Sequence, residues 1–231
     1  MDFQVWDFPG QLDYFDPTFD PDSIFGEIGA LIWVIDAQDD YLDAIARLDA
    51  TIMNLQQSYP SINVEVFIHK VDALSPEFRA ETFQDIVQRI SDELSDAGYE
   101  NAPVSYYMTS IYDLSIFEAF SKVIQKLIPQ LLPTLESLLN ILVSNTGMEK
   151  AYLFDVLSKI YIASDASPLD MASYEMCSDY VDVIVDMSEL YGWDRPKPID
   201  DEELNGVQLP EAEAHVQIHN DSLIYLKEMN R

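Results

Sequence analysis

Apolar stretches of strand length recur along the first half of the chain, and this recurrence restricts the fold more than any other feature of the sequence. The run at 29–36 (Gly-Ala-Leu-Ile-Trp-Val-Ile-Asp) is almost continuously apolar, as is typical of a parallel strand covered on both faces. Residues 64–68 and 104–108 repeat the pattern, and a shorter run at 3–7 ends in an aspartate. We expect each of these four stretches to form a strand.

Segments with helical periodicity lie between these runs. Apolar residues recur at steps of three or four within 40–55, 76–97 and 115–131. The residues that mark the apolar faces are Leu42, Ile45, Leu48, Ile52 and Leu55, then Phe83, Ile86, Val87, Ile90 and Leu94, then Ile116, Phe117, Phe120, Val123, Ile124 and Leu127. Alternation of strand and helix at this spacing predicts an α/β fold with a mainly parallel sheet.

Short polar motifs follow three of the predicted strands, where ligands bind in parallel sheets. They are Asp-Phe-Pro-Gly-Gln at 7–11, His-Lys-Val-Asp at 69–72 and Thr-Ser-Ile at 109–111. A small-GTPase nucleotide site has Asp-x-x-Gly, Lys-x-Asp and a serine loop in this order. The three motifs in this order are far more specific evidence for such a site than any one motif alone.

The first motif predicts contacts at the phosphate end of a nucleotide. Asp7 would hold Mg²⁺ through a water, because Mg²⁺ prefers octahedral oxygen ligands and keeps much of its hydration shell. Gly10 would let the backbone approach the terminal phosphate, and Gln11 would be the catalytic residue that orients an attacking water. Taken alone, the segment also fits a strand-ending aspartate followed by a Pro-Gly turn.

The second and third motifs predict recognition of guanine. Guanine presents N1–H and N2–H in parallel, and the Asp72 carboxylate can accept both, whereas adenine would leave it unpaired. Lys70, which follows His69, would lay its aliphatic stem along the purine face. Ser110 and Ile111 would offer backbone N–H groups to the guanine carbonyl oxygen. Taken alone, Lys-Val-Asp is a polar loop after a strand.

A phosphate loop of the form Gly-x-x-x-x-Gly-Lys-Ser/Thr does not occur within these 231 residues. The backbone N–H groups and lysine of such a loop normally offset the phosphate charge. With a formal net charge of −30, no other segment is an obvious replacement. We therefore expect residues 1–231 by themselves to bind GTP or GDP weakly.

The acidic composition restricts the partners and the compartment. With 12 basic and 42 acidic residues, the chain should repel nucleic acid and anionic lipid, although the acid can also serve only to solvate the surface. The single cysteine, Cys177, excludes a disulfide framework and fits a reducing compartment. No apolar run approaches the roughly 18 residues of a membrane span. We expect a cytoplasmic protein without direct membrane insertion.

After Pro133 the strand–helix alternation stops, and the rest of the chain predicts a different α+β domain. Helices are expected at 135–143 and 170–191, two strands within 149–164, an acidic loop at 193–213, and a hairpin of 215–219 and 223–229 around Asn220-Asp221. This layout leaves strand edges open and exposes an apolar helix, which predicts a partner chain. The alternative is a self-sufficient α+β domain.

With these residues in view, the chain resembles the Rag/Gtr family of small GTPases, and specifically its Rag C/D-type subunits. The matching segments are Trp-Asp-Phe-Pro-Gly-Gln at 6–11, Phe-Asp-Pro-Thr-Phe-Asp at 15–20, Val-Ile-Asp-Ala-Gln-Asp-Asp at 34–40, Val-Phe-Ile-His-Lys-Val-Asp at 66–72 and Thr-Ser-Ile-Tyr-Asp at 109–113, continued at 115–123, 153–156 and 158–163. His69, in place of the usual Asn, indicates this subfamily rather than Ras-like proteins at large.

The resemblance implies a partial P-loop GTPase domain at 1–132 and a roadblock-like dimerisation domain at 133–231, incomplete at its C-terminus. The family's first strand, phosphate loop and switch I would precede Met1. It further implies GTP or GDP and Mg²⁺ as cofactors, GTP hydrolysis, and a heterodimer with a Rag A/B-type partner. A Ragulator/EGO-type scaffold would tether the dimer to the lysosome or vacuole, where it signals amino-acid sufficiency to the TOR kinase complex. A second interpretation is a non-catalytic dimerisation or scaffold module that does not bind nucleotide.

Overall fold

The computed structural model describes residues 3–156, 158–190, 213–219, 222–227 and 229. The chain divides into two compact units, Met1–Leu131 and Leu132–Arg231. The turn predicted at Asn220-Asp221, and nearly all of the acidic loop predicted at 193–213, lie outside the described residues.

The first unit alternates strands with helices. Its elements are α1 (Pro21–Phe25), β1 (Ala30–Asp36), α2 (Leu42–Ser58), β2 (Asn63–His69), a 3₁₀ turn (Val71–Ala73), α3 (Pro76–Asp96), β3 (Val104–Thr109) and α4 (Ser115–Leu127). The three strands form one parallel sheet in the order β1-β2-β3. The prediction of an α/β fold with a parallel sheet is confirmed.

Side chains of the sheet alternate between two apolar layers, as strand geometry requires. On one face, Val64, Val66 and Ile68 of the central strand pack in a core with residues of α2 and α3. The helical residues of this core are Ile45, Leu48, Ile52, Leu55, Ile86, Ile90 and Leu94, all of them anticipated from the periodicity. On the opposite face, Phe67 packs with Ala119 and Val123 of α4.

Two local predictions are wrong. Residues 3–7 form neither strand nor helix, because a strand needs a paired neighbour and no described strand pairs with this segment. Within this segment Trp6 contacts the Phe8 ring, with 6.2 Å between centroids. The residues that follow are held by the Phe8–Tyr14 ring pair, 5.3 Å between centroids, and by the Tyr14 hydroxyl donating to the Pro9 carbonyl at 2.6 Å. The helix predicted to reach 131 ends at Leu127, because Pro129 disfavours helical backbone in the residue before it.

An ion pair between the buried carboxylate of Glu65 and the ammonium of the exposed Lys126 holds α4 on its face of the sheet. The fully buried carboxylate of Glu65 accepts hydrogen bonds from the Lys126 ammonium at 2.9 and 2.8 Å and from the Tyr107 hydroxyl at 3.0 Å. Lys126 also donates to the Ser105 hydroxyl at 2.6 Å. A buried charge with this many partners is tolerated, whereas loss of one partner typically costs about 3–5 kcal/mol.

The second unit contains α5 (Leu132–Thr146), β4 (Tyr152–Phe154), β5 (Tyr161–Ser164), α6 (Met171–Leu190), β6 (Glu213–His219) and β7 (Ser222–Lys227). Strands β4 and β5 form one antiparallel pair, and β6 and β7 form another. The buried rings of Tyr161 and Tyr174 meet edge to face, with 5.3 Å between their centroids. The interpretation of this unit as roadblock-like stays a prediction.

No single helix in the described part of the chain is long and apolar enough to cross a membrane. The consecutive helices α4 and α5 have such a length and composition only when they are taken together across the break between them.

A buried carboxyl on α2 gives the stability of the first unit a specific pH dependence. Asp49 is only 4% exposed, and its Oδ1 atom has no hydrogen-bond partner among the described residues. Burial, reinforced by the Glu93 carboxylate, raises the pKa of Asp49 to about 7. In the unfolded chain the pKa is about 3.9. Between these values the folded protein holds a proton that the unfolded chain releases, so the free energy of unfolding falls as pH rises from about 4 to 7 and then levels off.

We expect Asp49→Asn to raise the free energy of unfolding at pH 8 by about 1–3 kcal/mol, because it removes the buried charge and keeps the shape. Urea unfolding followed by circular dichroism at pH 5, 6, 7 and 8 measures this. Glu81→Gln, at an exposed position on α3, is the control and should follow the wild type at every pH. A slope for Asp49→Asn as steep as that of the wild type between pH 5 and 7 would contradict the assignment.

Candidate nucleotide-binding site

The parallel register brings the ends of the three strands into one row. Asp36 of β1 is the register partner of His69 of β2, and His69 is the partner of Thr109 of β3. His69 Nδ1 lies 3.0 Å from the buried Thr109 hydroxyl. The second and third predicted motifs are therefore joined directly at the carboxyl edge of the sheet.

Lys70, which directly follows His69, has an unusual backbone conformation. Its φ of 62° and ψ of 32° lie in the left-handed region, which lets the chain turn sharply from β2 into the 3₁₀ turn. The Lys70 ammonium forms an ion pair with Asp36 Oδ2 at 2.5 Å, and this hydrogen bond lowers the pKa of Asp36. The Gln38 side-chain amide donates to the Lys70 carbonyl at 2.9 Å.

Asp72 is fixed from two sides. The buried Ser110 hydroxyl donates to Asp72 Oδ1 at 2.6 Å, across a sequence separation of 38 residues. The Arg79 guanidinium donates to the carbonyl oxygens of Asp72 and Leu74, both at 3.0 Å. Backbone and carboxylate are thus both anchored, and the carboxylate can still accept hydrogen bonds from a ligand.

The serine loop differs in one respect from the role predicted for it. The Ser110 backbone N–H donates to the Ser115 hydroxyl at 2.9 Å, so the expected donation of this N–H to guanine is corrected to a contact within the protein. Ser110 belongs to the candidate site through its hydroxyl, which positions Asp72. Ile111 is 67% exposed, and no described residue accepts a hydrogen bond from its N–H. This N–H is available to a ligand.

The first motif lies in an exposed segment. No hydrogen bond or ion pair joins Asp7, Gly10 or Gln11 to the guanine motifs within the described ranges. The Gly10 carbonyl accepts from Arg47 Nη1 at 3.3 Å, and a Cβ at Gly10 would meet no atom within 4 Å. The structure itself therefore does not require glycine at this position.

The described residues contain no group of three or more His, Cys, Asp or Glu side chains that could hold a metal ion. Mg²⁺ in nucleotide sites needs only one or two carboxylates, because phosphates and water supply its other ligands. The Asp7 carboxylate is exposed, and its role toward Mg²⁺ stays a prediction.

The sequence analysis assigned no role to three residues that organise the site, although Thr109 lies within the third motif. Asp36 holds the Lys70 ammonium, Gln38 holds the Lys70 carbonyl, and Thr109 contacts His69. The available signal was position, because Asp36 and Thr109 end their strands as His69 does, and polar residues at that edge are expected to meet.

The model of the family described as "Gtr1/RagA G protein conserved region" matches residues 1–181. The chain belongs to the Gtr/Rag family of G proteins. The "GTP-binding protein gtr2" of Schizosaccharomyces pombe is 58% identical over 232 residues, and the human "Ras-related GTP-binding protein C" is 55% identical over 231. The mouse "Ras-related GTP-binding protein D" is 54% identical over 234 residues. These similarities confirm the Rag C/D-type resemblance.

Each of these alignments covers all of the present chain. The chain spans 72% of the length of the fission yeast relative, 56% of the human one and 50% of the mouse one. Membership of the Gtr/Rag family is thus established for the chain, which spans about half of the length of most of these relatives.

The open space around Gly10 predicts that folding does not require glycine at this position. We expect Gly10→Ala to leave the free energy of unfolding within about 0.5 kcal/mol of the wild type. Gly26→Ala is the matched control, because a Cβ there would lie 2.5 Å from the Asp22 carbonyl oxygen. The backbone would have to move, and we expect the free energy of unfolding to fall by about 1–3 kcal/mol. Urea unfolding of both variants tests this, and equal losses of stability would contradict it.

Proposed function

We propose that this chain recognises the base of GTP or GDP as part of a Rag C/D-type regulatory GTPase subunit. The observation that carries the proposal is the fixed Asp72 carboxylate beside an uncommitted Ile111 N–H. Guanine presents two N–H donors and a carbonyl acceptor on adjacent atoms. Asp72 would accept the two donors, and the Ile111 N–H would donate to the carbonyl.

Lys70 would complete the base site. Its ion pair with Asp36 fixes the end of the side chain, so the aliphatic stem is held in one place. A purine could then stack on this stem with little further loss of side-chain entropy. His69, in contact with Thr109, links the ends of β2 and β3 at the sheet edge where the base would bind.

At the phosphate end, we propose that Asp7 accepts a hydrogen bond from a water of hydrated Mg²⁺. Bound Mg²⁺ would neutralise phosphate charge, which the acidic chain cannot do alone. The Gly10 N–H would approach the terminal phosphate, since no side chain intrudes there. Gln11, also exposed, would orient the attacking water as the catalytic residue.

The base assignment can be tested by changing the hydrogen-bonding pattern of Asp72. We expect Asp72→Asn, in the full-length gene product, to shift preference from GTP towards XTP by about tenfold or more, because the amide donor suits the extra carbonyl of xanthine. Isothermal titration calorimetry with both nucleotides gives the ratio. Asp39→Asn, at an exposed position beyond β1, is the control and should keep the wild-type ratio. An unchanged ratio for Asp72→Asn would refute the base assignment.

We further propose that the subunit acts in a heterodimer with a Rag A/B-type chain. Helix α6 exposes Val183, Met187 and Leu190, which recur at steps of four and three and therefore form one apolar stripe. Helix α5 exposes Leu138, Ile141 and Leu142 at the same kind of spacing. An acidic surface repels a copy of itself and favours a less acidic partner, so apolar contacts with a different chain suit these stripes best.

Co-expression with a Rag A/B-type chain is therefore expected to give a one-to-one complex that survives 1 M salt, because apolar contacts are not screened. The double variant Val183→Asp/Met187→Asp should weaken the complex by at least about tenfold. Phe78→Asp is the control, since it places the same charge on an exposed apolar residue of the first unit. Size-exclusion chromatography with light scattering measures both, and a monomeric wild type would overturn the dimer proposal.

We propose, from family membership, that the heterodimer signals amino-acid sufficiency to the TOR kinase complex at the lysosomal or vacuolar surface. The net charge of −30 disfavours direct contact with anionic lipid, which favours recruitment through a Ragulator/EGO-type scaffold. Cells that lack the scaffold should then show the tagged protein dispersed in the cytoplasm. Retention at the organelle without the scaffold would argue against this route.

The second candidate function is a non-catalytic dimerisation or scaffold module. The observation that favours it is the absence of a phosphate-loop motif from the 231 residues. Native mass spectrometry after mild purification separates the two functions: co-purified GDP or GTP supports the GTPase subunit, and a nucleotide-free complex with the partner chain supports the scaffold.

A further inference from the structure

The geometry points to Ser115 and Asp113 as positioning residues for guanine recognition. Neither residue would touch the base. They hold Ser110, and through it Asp72, in place for the base. The inference rests on the proposed recognition of guanine by Asp72.

The hydrogen bonds around Ser115 have only one consistent direction. The Asp113 carboxylate accepts from the Ser115 N–H at 2.9 Å and from the Ser115 hydroxyl in a short contact, because a carboxylate has no proton to donate. The hydroxyl proton of Ser115 is thereby committed to Asp113. Its oxygen is left to accept the Ser110 N–H at 2.9 Å.

The same reasoning assigns the donor and acceptor roles of the Ser110 hydroxyl. The Ser110 oxygen accepts the Tyr112 N–H at 3.0 Å, and its proton is donated to Asp72 Oδ1 at 2.6 Å. A series of hydrogen bonds, each with a defined donor and acceptor, therefore connects Asp113 to Asp72 through Ser115 and Ser110. Each N–H and O–H proton in this series has a single acceptor. The orientation of the Asp72 carboxylate is therefore restricted.

This series of hydrogen bonds also determines which backbone N–H of the loop is left to bind a ligand. With the N–H groups of Ser110 and Tyr112 committed, the Ile111 N–H between them remains for the guanine carbonyl. Loss of the Ser115 hydroxyl would free the Ser110 N–H and relax Ser110. Both the orientation of the Asp72 carboxylate and the placement of the Ile111 N–H would then become less defined.

The test uses the full-length gene product and compares GDP with IDP, whose base lacks the N2 amino group that Asp72 would accept. Ser115→Ala is expected to lower GDP affinity by about tenfold and to reduce the preference for GDP over IDP by at least about threefold. Ser115→Thr keeps a hydroxyl and is expected to restore most of that preference. Calorimetric Kd values for both nucleotides give these ratios.

Ser121→Ala is the matched control. Its hydroxyl is buried on α4, where it donates to the Phe117 carbonyl of the same helix at 2.8 Å. We expect this variant to lose stability without any change in the GDP-to-IDP ratio. A ratio that falls in both serine variants would show a merely structural effect and overturn the inference.

Two failures can be told apart. If the wild type binds neither nucleotide, the proposed function falls and this inference falls with it. If the wild type prefers GDP and Ser115→Ala keeps the same preference, only the positioning role is overturned. Should Ser115→Ala not fold, Asp113→Asn at an exposed position carries the test, with a smaller loss of the same preference expected and an unchanged preference overturning the role.

Discussion

The in-register pairing of three parallel strands is the constraint on which the candidate site depends. Because neighbouring strands lie about 4.8 Å apart, the paired residues Asp36, His69 and Thr109 become neighbours in space although they are far apart in the chain. A slip of one residue in β2 would turn Glu65 into the opposite core and reverse every side chain of the strand. The ion pair between the buried Glu65 and the exposed Lys126 makes that slip unfavourable, since the slip would leave the charge of Glu65 uncompensated.

Much of the fold could be predicted because its information is local. The cores of α2 and α3 follow a period that Ile45, Ile52 and Ile86 already show in the sequence, and β2, buried on both faces, is apolar between 64 and 68 except at Glu65. The strand expected at 3–7 failed for the opposite reason. Pairing depends on a neighbouring strand, and no pattern within five residues states whether one is present.

The candidate site could likewise be predicted only in part. Motif order identified the residues of the second and third motifs that gather at the sheet edge, but the first motif is not joined to them, and motif order could not assign the hydrogen bonds. Asp72 meets Ser110 across 38 positions, and Lys70 meets Asp36 across 34. The use of the Ser110 N–H depends on where helix α4 begins, because Ser115 stands at its first residue. Such partners are set by tertiary structure, and residue type alone leaves several choices open.

The left-handed backbone of Lys70 has a consequence for attempts to stabilise this protein. Glycine or asparagine would adopt that conformation at a lower free energy, so local preference and the required side chain disagree at this position. Selection for thermal stability alone would therefore tend to replace the lysine. A more stable variant obtained in that way would lose the cation that Asp36 holds at the sheet edge, and with it the side chain proposed to stack on the purine.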